Sequence, residues 1–239
     1  MALNAITLAA RIMAADLFRL NVVSQNLANA NTTGYKKEVP ATRSFVEHLE
    51  AGKLAIPVSV PAQTSVLDLR QGTLSRTGDP LDVALEGGGF FELAGAGGPL
   101  YTRQGAFRLD GSGKLVTAAG LAVSGAGGDI VLATNAPRID RQGRVFEGDR
   151  QVAQLKIVRF ADAAALTPLG GGLYRAAAAG DVLSDVSIVR QGFVEASNVQ
   201  TLPEMVRMIE LMRRFESAQR VVQGYDGMLG GAIRTLGEF

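Results

Sequence analysis

The sequence predicts an α+β fold: helices at the two chain ends that pair as a coiled coil, around a central antiparallel all-β domain of barrel- or sandwich-like kind. Three observations predict it. Apolar residues recur at alternating steps of three and four near both termini, the spacing of one helix face. Glycine is absent from the first 33 residues, yet most of the 29 glycines fall between Gly72 and Gly192. Inside that glycine-rich stretch the apolar period changes to two, which is the pattern of strands.

At the N-terminus, Leu3, Ile6, Ala10, Met13, Leu17, Leu20, Ser24 and Leu27 keep a strict three–four alternation with one polar exception. That is a coiled-coil seam. Leu8, Ile12, Ala15 and Val22 add a second apolar flank, and a wide apolar face suits more than one neighbour. The run Asn29-Ala30-Asn31-Thr32-Thr33-Gly34 ends the helix, since Asn and Gly favour left-handed caps and turns. Residues 35–75 carry mixed signals. Pro57 and Pro61 bracket Val58-Ser59-Val60, so this span reads as an extended connector with a β-ribbon.

The strands follow. Leu81-Asp82-Val83-Ala84-Leu85 alternates, Phe90, Phe91 and Leu93 continue after three glycines, and Leu155 to Phe160 forms another strand. Two segments resemble each other: Arg108-Leu109-Asp110-Gly111-Ser112-Gly113-Lys114-Leu115 and Arg138-Ile139-Asp140-Arg141-Gln142-Gly143-Arg144-Val145. In each, Asp is placed to close an Asx turn and Gly to accept positive φ. Strand–turn–strand units of this kind build an antiparallel sheet folded on itself.

At the C-terminus, Thr201 with Glu204 fits a capping box and Pro203 suits a first turn. Met208, Leu211, Phe215, Ala218, Val222, Tyr225, Leu229 and Ala232 then repeat the three–four spacing without exception. Periodicity alone leaves two readings open: two helices packed inside one globular core, or helices that pair with each other and with other copies.

No residue set carries chemistry, and the chain is expected to have no catalytic residue, cofactor or metal site. His48 is the one histidine and there is no cysteine, so thiolate sites and His pairs are excluded. Glu47 and Glu50 beside His48 read as a surface cluster. Gly87-Gly88-Gly89 runs into Phe90 and Phe91, and Gly95-Ala96-Gly97-Gly98 ends at Pro99. Neither leads into a helix as a phosphate loop must, so both read as β turns. Asp79, Asp82 and Asp110 lack the spacing of a calcium loop and read as turn residues.

Lys and Arg number 24 against 23 Asp and Glu, for a net charge of +1. That argues against nucleic-acid binding, which needs a basic face, and lowers repulsion between copies. Residues 1–15 lack a basic stretch before the apolar one, and Arg11, Asp16 and Arg19 interrupt the region, unlike a cleaved signal. No run of about 18 apolar residues is present, so no membrane insertion is expected.

Four segments resemble the flagellar rod and hook protein family. Ser24-Gln25-Asn26-Leu27-Ala28-Asn29-Ala30-Asn31-Thr32-Thr33-Gly34-Tyr35-Lys36 is similar to its N-terminal signature, with Asn26, Leu27, Ala28, Asn29, Thr33, Gly34 and Tyr35 carrying the motif. Leu81 to Phe91, Tyr101 to Gly120, and Ser197-Asn198-Val199 with Glu204 to Ile209 and Arg214-Phe215-Glu216 resemble the others in the same order. The resemblance implies a non-enzymatic subunit exported through the flagellar type III apparatus and built into a periplasmic tube with copies of itself and other rod proteins. Assembly would run through Leu3, Ile6, Met13, Leu17, Leu20 and Leu27 at one end, and Met208, Leu211, Phe215, Val222, Tyr225 and Leu229 at the other. The expected divisions are a helix at 1–34, a connector at 35–75, a β domain at 76–182, and a return strand with helix at 183–239. From another class, the residues also admit a secreted β-domain enzyme or carbohydrate-binding module whose end helices pack internally.

Overall fold

A computed structural model describes residues 2–41, 64–160, 165–176 and 187–237. His48 and the segment Pro57 to Pro61 lie outside the described residues, as do the side chains of Leu3, Ile6 and Leu229. The chain divides into two compact units. One holds residues 1–28, 38–66 and 200–239, the other residues 29–37 and 67–199.

The first unit is built on two helices, α1 (Ala2–Ala28) and α2 (Thr201–Gly237), which pack against each other. The described ends of the connector add a two-stranded ladder, Glu38–Ala41 with Thr64–Leu67. Helix α1 stops at Ala28, where the asparagine run begins. Asn29 closes that turn: its carbonyl accepts from Thr32 N–H at 3.0 Å, and its side-chain oxygen from the Thr32 hydroxyl at 3.1 Å. Helix α2 starts one residue earlier than a Thr201 cap implies. The Glu204 N–H bonds the Gln200 carbonyl at 3.2 Å, so Gln200 stands at the cap position and Pro203 falls in the first turn, where a missing N–H costs nothing.

The second unit is antiparallel β throughout its described ladders. Its largest sheet has five strands in the order Ile157–Arg159, Gly89–Leu93, Leu100–Thr102, Leu173–Ala176 and Leu166–Gly170. Shorter ladders surround it, and among the described residues they close no barrel. Strand Gly89–Leu93 is buried along its whole length because both its faces meet a core. Phe91 and Leu93 pack with Val83, Leu85, Phe107, Leu115, Val145 and Leu155. Phe90 points the other way, towards Tyr101, Val158, Phe160 and Tyr174, with edge-on ring contacts to Phe160 at 5.8 Å and Tyr174 at 5.7 Å. Each such buried side chain contributes about 1.5–3 kcal/mol, so two cores on one strand make it the centre of the unit.

The two similar segments fold alike. Strand Phe107–Leu109 pairs with Leu115–Thr117, and Arg138–Ile139 with Arg144–Glu147. In the first turn the Asp110 carboxylate accepts from the N–H groups of Ser112 and Lys114 at 2.8 and 2.9 Å. In the second, Asp140 accepts from Gln142 and Arg144 at 3.0 and 2.9 Å. Gly113 and Gly143 hold φ of 80° and 75°. The Ser112 hydroxyl, followed by the backbone N–H groups of Lys114 and Ser112, pulls the Asp110 carboxyl below its ordinary pKa. Asp79 likewise accepts from Leu81 N–H at 2.8 Å. The Gly95–Gly98 run is a hairpin turn, closed by Gly98 N–H on the Gly95 carbonyl at 3.2 Å.

These twin turns differ in the space behind the glycine. A Cβ on Gly113 would sit 2.6 Å from the Leu132 carbonyl oxygen, whereas one on Gly143 would meet side chains at 3.4 Å. Left-handed backbone costs an L-residue roughly 1–2 kcal/mol at either site. Gly143→Ala is therefore expected to lose about that much stability and Gly113→Ala clearly more, read from urea unfolding midpoints of the two variants.

Candidate assembly site

Helix α2 buries one narrow stripe and exposes the rest. Glu204 and Leu211 are buried, and Met208, Phe215, Ala218, Val222 and Tyr225 are half-buried. This is the three–four seam read from the sequence, extended by Glu204 at its start. Facing it, α1 presents Ala9, Met13, Asp16, Leu20, Val23 and Leu27, buried or half-buried in turn. Of the six expected α1 seam positions whose side chains are described, half are kept, through Met13, Leu20 and Leu27. The other half moves by one residue: Ala9, Asp16 and Val23 face α2 where Ala10, Leu17 and Ser24 were expected. Leu17 is 48% exposed, so within the subunit it is not a seam residue. Asp16, which its charge marks as unsuited to a seam, is fully buried there. Its carboxylate lies 3.1 Å from Arg19 on its own helix and 3.6 Å from Arg214 on α2.

Beyond the seam, α2 carries a second apolar stripe. Leu202, Met205, Ile209 and Met212 keep the three–four spacing, with Val206 beside them, and all are exposed. On α1, Leu8, Ile12 and Leu17 are exposed as well. Exposed apolar side chains gathered in one stripe are the kind of surface that interaction sites use.

The motif at residues 26–36 divides its work. In the helical unit, the Asn26 side chain makes a two-way clamp on Glu38, donating to its carbonyl and accepting from its N–H, both at 2.8 Å. In the β unit, Gly34 is required twice over. Its φ is 67°, and a Cβ would stand 2.4 Å from the Arg103 carbonyl carbon and the Gln104 nitrogen. The Gly34 N–H donates to the Glu195 carbonyl at 2.7 Å. Tyr35 is buried next to it.

Lys36, the next residue, enters a buried ion cluster that the sequence reading did not single out. Its ammonium donates to the Glu195 carboxylate at 2.6 Å and to the Arg70 carbonyl at 2.8 Å. Arg103 Nε lies 3.5 Å from the same carboxylate, and its guanidinium donates to the Gly87 carbonyl while sitting 5.5 Å from the Phe90 ring. Glu195 also accepts from Gly72 N–H at 2.8 Å. All three charged side chains are about 1% exposed. Two cations thus share one carboxylate out of water, and burial pushes the Lys36 and Arg103 pKa values down although Glu195 opposes the fall. Asn198 closes the same junction, accepting from Lys37 N–H at 2.7 Å and donating to the carbonyls of Asp68 and Arg70 at 2.8 and 2.9 Å. Segments 33–37, 68–73 and 195–198, which enter and leave the β unit, are tied together by these bonds. The signal was present, for Arg103 and Asn198 fall inside segments that carry the family resemblance, but a charged residue in a single sequence reads as surface.

Two terminal helices packed on each other, one with an exposed apolar stripe, an aspartate-clipped antiparallel β unit and a buried ion cluster with no metal-holding group among the described residues are the features of a structural protein. Residues 8–36 match the family described as flagella basal body rod protein, residues 84–146 the flagellar hook protein FlgE/F/G D1 domain, and residues 190–235 the flagellar basal body rod FlgEFG protein C-terminal. Among curated relatives, a flagellar basal-body rod protein FlgF of Caulobacter vibrioides is 34% identical, with 92% of each chain aligned. A FlgG rod protein of Agrobacterium fabrum is 33% identical over 98% of this chain and 100% of its own, and one of Buchnera aphidicola is 32% identical over 90% and 93%. The chain belongs to the flagellar basal-body rod protein family.

Removing the anion from the cluster and removing one cation are not equivalent. Glu195→Gln leaves Lys36 and Arg103 buried without a counter-charge, and is expected to cost about 3–5 kcal/mol. Lys36→Met leaves one cation facing one carboxylate and should cost less, the order being read from urea midpoints. Because burial lowers the Lys36 pKa, the unfolded chain holds that proton more tightly. Its contribution to stability therefore rises as pH rises from the lowered value to the ordinary lysine one, and Lys36→Met should flatten that rise in stability measured across alkaline pH.

Proposed function

We propose that this chain is a subunit of the flagellar basal-body rod of the FlgF kind, which transmits torque by stiffness and performs no chemistry. On this reading it leaves the cytoplasm through the flagellar type III export apparatus without a cleaved signal. It then packs in the periplasm with its own copies and other rod proteins. The run Glu204-Met205-Val206-Arg207-Met208-Ile209 with Arg213-Arg214-Phe215-Glu216 favours the proximal FlgF kind. The distal FlgG kind is the second reading, supported by relatives of equal similarity.

The observation that carries the proposal is the division of α2 into two apolar stripes. One is used up within the subunit; the other, Leu202, Met205, Val206, Ile209 and Met212, lies exposed. A lone globular enzyme or sugar-binding module has no use for a 37-residue helix with an exposed apolar side, whereas a subunit packed among parallel helices does. Leu3, Ile6 and Leu17 on α1 and Leu229 on α2 belong to the proposed assembly set with them, while Met13, Leu20, Leu27, Met208, Leu211, Phe215, Val222 and Tyr225 serve it by holding the helix pair together.

Charge substitutions separate the two stripes. Ile209→Glu, at an exposed position, should change the urea midpoint of the purified subunit by no more than about 0.5 kcal/mol yet abolish incorporation into isolated basal bodies. Leu211→Glu, at a buried one, should destabilise the subunit itself. Normal swimming and incorporation by the Ile209→Glu strain would refute the assembly reading.

A further inference from the structure

Asp16 has no evident place in an apolar seam. It stands one heptad from Ala9 and one from Val23, at a position where the helix pair would be better filled by leucine. The side chain is wholly buried, and among the described residues its Oδ2 meets no hydrogen-bond donor. Oδ1 alone is engaged, by Arg19 at 3.1 Å and across the seam by Arg214 at 3.6 Å. A buried carboxylate satisfied on one oxygen weakens a helix pair relative to a hydrophobic residue of similar size.

What the carboxylate supplies is discrimination between registers. Both seams repeat every seven residues, so sliding α2 by one heptad, about 10 Å, keeps apolar residues opposed to apolar ones. It does not keep Arg214 opposite Asp16. A slide in one direction brings Val221 to that level, which leaves the carboxylate with no cation on the facing helix. The other direction brings Arg207 together with Glu204, whose own side chain is buried and ion-paired to Arg207 at 3.1 Å, so that two carboxylates would share one buried site. Arg19 travels with Asp16 in every register, and only the observed offset adds a cation from the facing helix without a second buried carboxylate beside it.

We propose that Asp16, through Arg214, fixes the register in which α1 and α2 pair, and weakens that pairing in doing so. The inference goes beyond the assembly reading and holds whether or not the exposed stripe meets a neighbour. A single polar residue that sets register at a cost in stability is a known property of coiled coils. Here it acts between the two ends of one chain.

The absence of native cysteine permits a direct test. Nitroxide labels on cysteines introduced at exposed Asn21 and Gln219 lie at different levels along the helix axes, so a heptad slip changes their separation by several ångström. The full chain should give one narrow label–label distance by pulsed electron resonance. Asp16→Leu should raise the urea midpoint of the helical signal and add a second distance population. Arg214→Met, which removes the cation on the facing helix, should lower the midpoint and broaden the distances. A single unchanged distance in Asp16→Leu overturns the proposal, as does a lowered midpoint in that variant or an unchanged midpoint and distance in Arg214→Met.

Discussion

Glu195 is the group on which the β unit most depends, because among the described residues its carboxylate alone is ion-paired to both Lys36 and Arg103, in a place that water does not reach. Taking three ionised groups out of water is costly, and the pairing offsets that cost only when geometry and further hydrogen bonds are good. Here backbone takes up part of the set: Lys36 donates to the Arg70 carbonyl, Arg103 Nη2 to the Gly87 carbonyl, and Glu195 accepts from the Gly72 N–H, while Arg103 Nε and Nη1 and Glu195 Oε2 meet no hydrogen-bond partner among the described residues. The bonds reach two further segments, one at Arg70 and Gly72 and one at Gly87. The cluster therefore works less as an attraction between charges than as a knot, in which residues distant in sequence satisfy one another and no one of them can leave alone.

The glycines of this region follow from that knot. Segment 33–37 passes so close to Arg103 and Gln104 that position 34 admits no Cβ. Gly72 is held the same way, with a Cβ that would meet the Ala196 carbonyl oxygen at 2.0 Å. Such close backbone approaches bring the Lys36 ammonium and the Glu195 carboxylate within reach. A glycine in the signature and a buried lysine two residues later are thus one requirement, stated once in backbone geometry and once in charge.

Some of this was legible in the sequence and some was not, for physical reasons. The α2 seam could be read residue by residue because its three–four spacing runs unbroken from Met208 to Tyr225, even though Ile209 and Met212 beside it are apolar and exposed. The twin turns at Asp110 and Asp140 were legible because Asx turns and positive φ are local and admit few residue types. On α1 the reading slipped by one residue along half the seam. Leu17 is apolar and exposed, Asp16 is charged and buried, and periodicity scores both the wrong way. The ion cluster was invisible for the same reason on a larger scale. Its members lie in segments brought together only by the fold, and a lysine, an arginine and a glutamate each read singly as solvated surface.

The misread residues have something in common. Asp16, Lys36, Arg103 and Glu195 are all charges placed where apolar side chains would give more stability, and each acts on geometry: the offset of one helix on another, or the crossing of chain segments. A structure tuned for maximal stability as a free subunit would remove them. One built to be repeated identically in a stiff assembly has reason to keep them, since hydrophobic contacts tolerate sliding by a heptad or slight repacking, whereas a buried ion pair is satisfied in one arrangement. The exposed stripe of α2 follows the same logic from the other side. It is apolar and undirected, and it presents a defined surface only if Asp16 and the Asn26 clamp have already fixed where the helices stand.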